Sequence, residues 1–138
     1  MNRSKRLIEL GIELPELPKP IANYVPYSIS GNLIYISGQG PTLKGQNIYI
    51  GKVGKDITKE EAHKAARLCG LNILAILNEA LGDLDKVVKI INIHGYVNSV
   101  DDFSEQPYVI NGVSDLMVDV FGKDGKHSRT AISVNSLP

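Results

Sequence analysis

The 138-residue chain has no tryptophan, few aromatics and one cysteine, Cys69. A lone thiol closes no disulfide within the chain, which points to a reducing compartment. Neither sign of charge is in excess: 15 Lys and Arg stand against 15 Asp and Glu, for a formal net charge of zero. That balance gives no long-range positive field and argues against nucleic acid as a partner. No run of like charge is long enough to act as a binding tail. The basic start, Met1-Asn2-Arg3-Ser4-Lys5-Arg6, is followed only by short apolar fragments, so it does not read as a signal peptide. No later run is long enough to span a bilayer. The histidines, His63, His94 and His127, are scattered, and no pair has metal-ligand spacing. Gly38-Gln39-Gly40 lacks phosphate-loop spacing, and no Gly-Lys-Ser/Thr follows it. Repeats and low-complexity segments are missing too. What remains is one cytoplasmic domain, residues 1–138, expected to use no cofactor or metal and to meet neither nucleic acid nor membrane.

The richest stretch is Val87 to Val97, Val-Val-Lys-Ile-Ile-Asn-Ile-His-Gly-Tyr-Val. Its β-branched residues and near-continuous apolarity predict a long central strand, with His94 as a core histidine. Thr58 with Glu61 forms a capping box, and a helix is expected from there to Gly82. Its predicted apolar stripe is Ala62, Ala65, Ala66, Cys69, Ile73, Ile76, Leu77 and Ala80. Cys69 therefore reads as a small buried apolar residue, not a nucleophile. A second helix should follow Asp102 or Ser104, with Pro107 in its first turn and Val109, Val113, Leu116, Met117 and Val120 facing inward.

Ahead of these, Ser4 to Leu10 predicts a short helix ended by Gly11. The proline-bearing stretch Ile12 to Pro20 should lie extended over the surface. Tyr24 to Ser30 and Leu33 to Ser37, joined by Gly31-Asn32, predict an antiparallel hairpin. Ile48 to Val53 predicts a third strand, and Ser128 to Val134 the last visible one. The order suggests a two-layer α+β domain, a mixed sheet with two helices on one face. Its other face would be apolar and uncovered, which predicts an oligomer.

Two places draw attention as chemistry. Ser37-Gly38-Gln39-Gly40 ends a strand with exposed amides, fit either for a pocket wall or for an ordinary turn. Arg129 opens a strand after a glycine-rich loop. It is either a solvated edge residue or a planar fork for a carboxylate.

Several motifs together resemble the RidA/YjgF family of reactive-intermediate deaminases. Tyr24 with Gly31-Asn32-Leu33-Ile34-Tyr35-Ile36-Ser37-Gly38-Gln39 is similar to its N-terminal signature. Asp83 to Lys89, Asp101-Asp102-Phe103, and Ser128-Arg129-Thr130-Ala131 with Leu137-Pro138 resemble three further family segments. Leu10 to Pro15 and Asn23-Tyr24-Val25-Pro26 resemble a branch with a longer N-terminus, an extension spanning residues 1–22. The resemblance implies a chorismate-mutase-like fold and a homotrimer with pockets in the clefts between subunits. It also implies hydrolysis of enamines and imines such as 2-aminoacrylate to 2-keto acids and ammonia, as by 2-iminobutanoate/2-iminopropanoate deaminases.

By the same resemblance Arg129 grips the substrate carboxylate, Ser37 and Gly38 supply the wall with its amide, and Tyr24 lines the pocket. Three departures stand out. Ala131 replaces a cysteine that acts through its backbone. Asp101 stands where some members carry a pocket asparagine. The final family strand, with its glutamate, is absent after Pro138, where the sequence is either incomplete or that of a truncated form. The alternative is a non-catalytic trimeric module that binds small carboxylates such as 2-keto acids. A third possibility is a purely structural trimer.

Overall fold

The computed structural model describes residues 2–18 and 23–138. Helix α1 (Arg3–Glu9) opens the chain, capped by the Asn2 side chain accepting from the Lys5 N–H. Gly11 ends it at φ +68°, where a side chain would be strained. Beyond it, Leu14, Pro15 and Leu17 line a cleft together with Ala75, Asn78 and Glu79 of the first long helix. Pro20 lies outside the described residues.

Strands β1 (Tyr27–Ser30) and β2 (Leu33–Ile36) pair antiparallel about the Gly31-Asn32 turn, with Gly31 at φ +58°. The hairpin is the expected one, begun at Tyr27 instead of Tyr24. The third strand differs more. Ile48 to Val53 forms no strand, and only Val53 makes bridges, to Ile57 and Ser99. Positive φ at Gly51 and Gly54 takes this stretch out of the extended conformation. A small hairpin precedes it instead, β3 (Thr42–Leu43) with β4 (Gln46–Asn47). Its turn is Lys44-Gly45, with φ +52° and +77°, the left-handed pair that a two-residue hairpin turn requires.

Helix α2 (Lys59–Leu81) has the predicted capping box and ends at Gly82. Its buried residues are Ala62, Ala66, Gly70, Asn72, Leu74, Ala75, Ile76 and Leu77. The predicted stripe thus holds at Ala62, Ala66, Ile76 and Leu77, while Ala65, Cys69, Ile73 and Ala80 are only partly buried. Glycines explain the shift. A Cβ on Gly70 would press on Leu116 and Val113, and one on Gly112 would run into the His63 carbonyl. Helix α3 (Gln106–Phe121) therefore touches α2 nearly backbone to backbone. Its whole predicted apolar face is buried. Pro107 sits in the first turn, but the cap position is Glu105, without a side-chain cap.

The central strand is shorter than expected. Strand β5 spans Asn92–Asn98 and pairs in parallel with β6 (Ser128–Val134). Val88 and Ile91 are exposed, because the partner strand begins only at Ser128. His94 is also exposed rather than a core residue. It alternates with Gly95 and Val97, which turn inward, and a Cβ on Gly95 would collide with Ile110 of α3.

The strands do not form one continuous mixed sheet. Among the described residues they form three separate two-stranded ladders, with both antiparallel and parallel pairing. The helices cover one side. Tyr96 and Ile132 remain about half exposed on the other side of β5–β6, as do Ile29 and Tyr35 on the hairpin.

Candidate functional site

Two polar groups of residues can be built from the elements. The first surrounds the end of β2. The Ser37 N–H donates to the Pro26 carbonyl at 3.0 Å, and its hydroxyl to the Val25 carbonyl at 2.6 Å. This ties the exposed Tyr24 segment beside β2. Gly38 follows, and its N–H has no hydrogen-bond partner among the described residues. A Cβ there would meet nothing within 4 Å, so an incoming group can reach the amide. The loop behind it is pinned by Asn72 of α2, which is 3% exposed. Its Nδ2 donates to the Gly40 carbonyl at 3.2 Å and the Thr42 carbonyl at 3.0 Å. A buried amide that satisfies two loop carbonyls holds the loop in one place.

The second group lies at the start of β6. Arg129 is half-buried and faces the helix layer, and its Nη1 donates to Asn111 Oδ1 at 2.8 Å and Ser114 Oγ at 3.1 Å. Both partners stand on α3. Ser114 Oγ also meets His127 Nε2 at 2.9 Å, and His127 Nδ1 meets the Gly125 carbonyl at 2.6 Å. The ion pairs among the described residues are Arg3–Asp124, Arg6–Glu9 and Lys59–Glu105. Arg129 is thus a half-buried cation with no carboxylate against it, and its Nε and Nη2 make no hydrogen bond among the described residues. A side-on guanidinium edge of this kind matches a planar carboxylate with two parallel N–H bonds.

Ala131 is the next inward position of β6 and packs on the core opposite Gly95. Asp101 does not join this group within one chain. Arg129 pairs with Ile93 at one end of the ladder, whereas Asp101 is exposed and lies beyond Asn98 at the other. The span from Ile93 to Asn98 alone is roughly 16 Å at strand rise. The asparagine that meets Arg129 is Asn111. It was legible only as a polar residue three positions before Ser114 on an otherwise apolar helix face. Tyr24, Ser37 and Gly38 are brought together, as are Arg129 and Ala131, but no hydrogen bond or strand pairing joins the two groups.

Elsewhere, burial pushes the Cys69 thiol up to about 12, so at neutral pH it is a protonated apolar side chain. The His63 and Tyr108 rings meet tilted by 36°, with their centres 5.1 Å apart. Among the described residues no cluster of three His, Cys, Asp or Glu could hold a metal ion, and no helix is long and apolar enough to cross a membrane.

These features define a two-layer α+β protein of chorismate-mutase-like fold, with an arginine-centred polar site where a strand meets the helix layer. A protein-family profile described as "YjgF/chorismate_mutase-like, putative endoribonuclease" matches residues 4–138. The chain belongs to this YjgF family. Protein TCP17 of Trypanosoma cruzi is 42% identical over 133 residues, covering 96% of this chain and 83% of that protein. The crystal structure of Atu1372, a protein of unknown function from Agrobacterium tumefaciens, superposes with a TM-score of 0.90 at 47% identity, covering 99% of this chain and 84% of the other. A Shewanella oneidensis structure described as "a putative endoribonuclease" gives a TM-score of 0.95 at 38% identity, covering 100% and 91%.

Proposed function

We propose that the chain is a deaminase that hydrolyses 2-imino acids, the tautomers of 2-aminoacrylate-type enamines, to 2-keto acids and ammonia. The observation that carries this is Arg129: a half-buried guanidinium tethered through Nη1, with no acidic partner and no hydrogen bond on its Nε/Nη2 edge among the described residues. The substrate carboxylate takes that edge, and the Gly38 amide completes the clamp. Water then adds to the imine carbon, forming a C–O bond while the nitrogen takes up a proton. The C–N bond breaks, ammonia leaves, and the carbonyl of the keto acid forms. Imines are reactive already, so orientation and charge placement carry most of the catalysis. A nuclease reading, suggested by the descriptions of relatives, finds no support in the charge: a formal net charge of zero supplies no field for a phosphate backbone.

The clamp draws on two groups that no hydrogen bond or strand pairing joins among the described residues, and the strand face bearing Tyr96 and Ile132 is about half exposed. Both features favour an oligomer; by the family resemblance it is a homotrimer, working in the cytoplasm, whose clefts join Gly38 of one copy to Arg129 of another. A particle three times the 15.0 kDa chain mass in sedimentation is the expected outcome.

The test is release of 2-oxobutanoate and ammonia from freshly generated 2-iminobutanoate. Arg129→Ala should lower kcat/KM by about a hundredfold or more, as for a buried charge contact cut on one side. Turnover unchanged in that variant would overturn the assignment. Binding of 2-oxobutanoate without turnover would make the protein a carboxylate-binding module instead.

A further inference from the structure

The Ser114–His127 pair is left unused by that mechanism, yet it is built around Arg129. Gly125 offers only a carbonyl, so His127 Nδ1 must donate to it across 2.6 Å. A Cβ on Gly125 would strike the Met117 carbonyl, so this turn sits directly on α3 and the acceptor is rigidly placed. Arg129 Nη1 can only donate to Ser114 Oγ, at 3.1 Å. With His127 neutral, the Ser114 hydroxyl gives its own proton to His127 Nε2, 2.9 Å away. Every proton on the line from Arg129 Nη1 through Ser114 Oγ and the His127 ring to the Gly125 carbonyl has one acceptor, and a satisfied line of this kind is stiff.

We infer that Ser114 and His127 are positioning residues that lock the rotamer of Arg129, so that its Nε/Nη2 edge is presented side-on to the carboxylate of a 2-keto or 2-imino acid. The ligand class rests on the function proposed above; the locking of Arg129 does not. Asn111 supplies a second anchor on the same Nη1 atom, at 2.8 Å. With a serine anchor lost, the guanidinium can turn about that single remaining bond. Neutral His127 is needed because an imidazolium would donate to Oγ and leave the hydroxyl proton without its acceptor.

Three variants test this on the full chain. Ser114→Ala removes the anchor. His127→Asn keeps a donor for Gly125 but offers Ser114 no acceptor. His127→Gln places a side-chain oxygen near the Nε2 position. The first readout needs no ligand: ¹⁵N NMR of the Arg129 guanidinium should show slow rotation in the parent protein and averaging in Ser114→Ala and His127→Asn.

The second readout is the Kd of 2-oxobutanoate, expected to weaken about tenfold in Ser114→Ala, as for one lost hydrogen bond to a charged group. It should weaken about threefold in His127→Asn and recover in large part in His127→Gln. In turnover the loss should fall on KM rather than kcat. Guanidinium dynamics unchanged in both Ser114→Ala and His127→Asn would overturn the inference. If the parent protein binds no 2-oxobutanoate while its guanidinium is locked and released as described, the carboxylate reading fails and the positioning role stands.

Discussion

Arg3 is the residue whose loss should be felt most widely. It stands in α1 at only 6% exposure. Its Nη1 donates to the Leu84 carbonyl at 3.0 Å, to the Asp85 carbonyl at 3.4 Å, and to the Val87 carbonyl. The guanidinium lies 4.8 Å from the centre of the Phe121 ring. These contacts join α1 to the turn before β5 and to the end of α3. Two good hydrogen bonds from a charged donor are worth roughly 1.5–3 kcal/mol each, and the cation–π contact about 1 kcal/mol. The 3.5 Å pair with half-exposed Asp124 adds little.

Against these gains stands the burial of the charge itself, including an Nε with no partner. Arg3→Leu relieves that cost but leaves the Val87 carbonyl without its donor. The net loss is about 3 kcal/mol, the upper end for leaving a buried acceptor unsatisfied. For a chain of this length that lowers Tm by roughly 10 °C. Arg3→Lys should lie between the parent and Arg3→Leu, since an ammonium supplies donors to the carbonyls but not the planar group over the Phe121 ring or the Nη2 contact with Asp124. Thermal unfolding followed by circular dichroism measures this directly. A shift under about 2 °C for Arg3→Leu would show that the hydrogen bonds only offset the desolvation they require.

Asn72→Ala should leave the Gly40 and Thr42 carbonyls without their buried donor, costing about 1–3 kcal/mol. It should also raise amide exchange across residues 38–43; unchanged exchange there would mean that the loop is held by other contacts. The raised thiol of Cys69 gives a pH dependence of definite sign. Its folded value, about 12, lies above the ordinary value of 9.0, so its contribution is complete below pH 9 and is lost as pH rises from 9 toward 12. The urea midpoint should fall over that window more in the parent than in Cys69→Ala. Native Cys69, partly buried and protonated, should react with iodoacetamide at pH 8 more slowly than in the unfolded chain, and equal rates would contradict the raised thiol.

Local patterns settled much of this molecule without reference to the fold. Thr58 and Glu61 cap a helix through their own side chains, Gly82 ends it, and Gly31-Asn32 turns the first hairpin. Each of those acts within a few residues, so sequence suffices. The apolar face of α3 was legible for the same reason, since helical period alone places Val109, Val113, Leu116, Met117 and Val120 together. Ser37, Gly38 and Arg129 stand out in the sequence by residue type and position, while the roles given to them, and Tyr24 itself, come from motif resemblance.

Tertiary structure decided what depends on partners distant in the chain. Val88 and Ile91 look like strand residues, yet a strand needs a neighbour, and β6 does not begin until Ser128. His94 looked buried because its neighbours are apolar; alternation along β5 turns it outward. Gly70, Gly95 and Gly112 decide how closely the helices approach, and a glycine carries no apolar signal that would announce it. The Arg129 row gathers Asn111, Ser114, His127 and Gly125 from α3 and from the turn and segment leading into β6. No spacing in the chain encodes that meeting. It exists because α3 packs against the ladder at a register that brings one polar turn of the helix over the first residues of the strand.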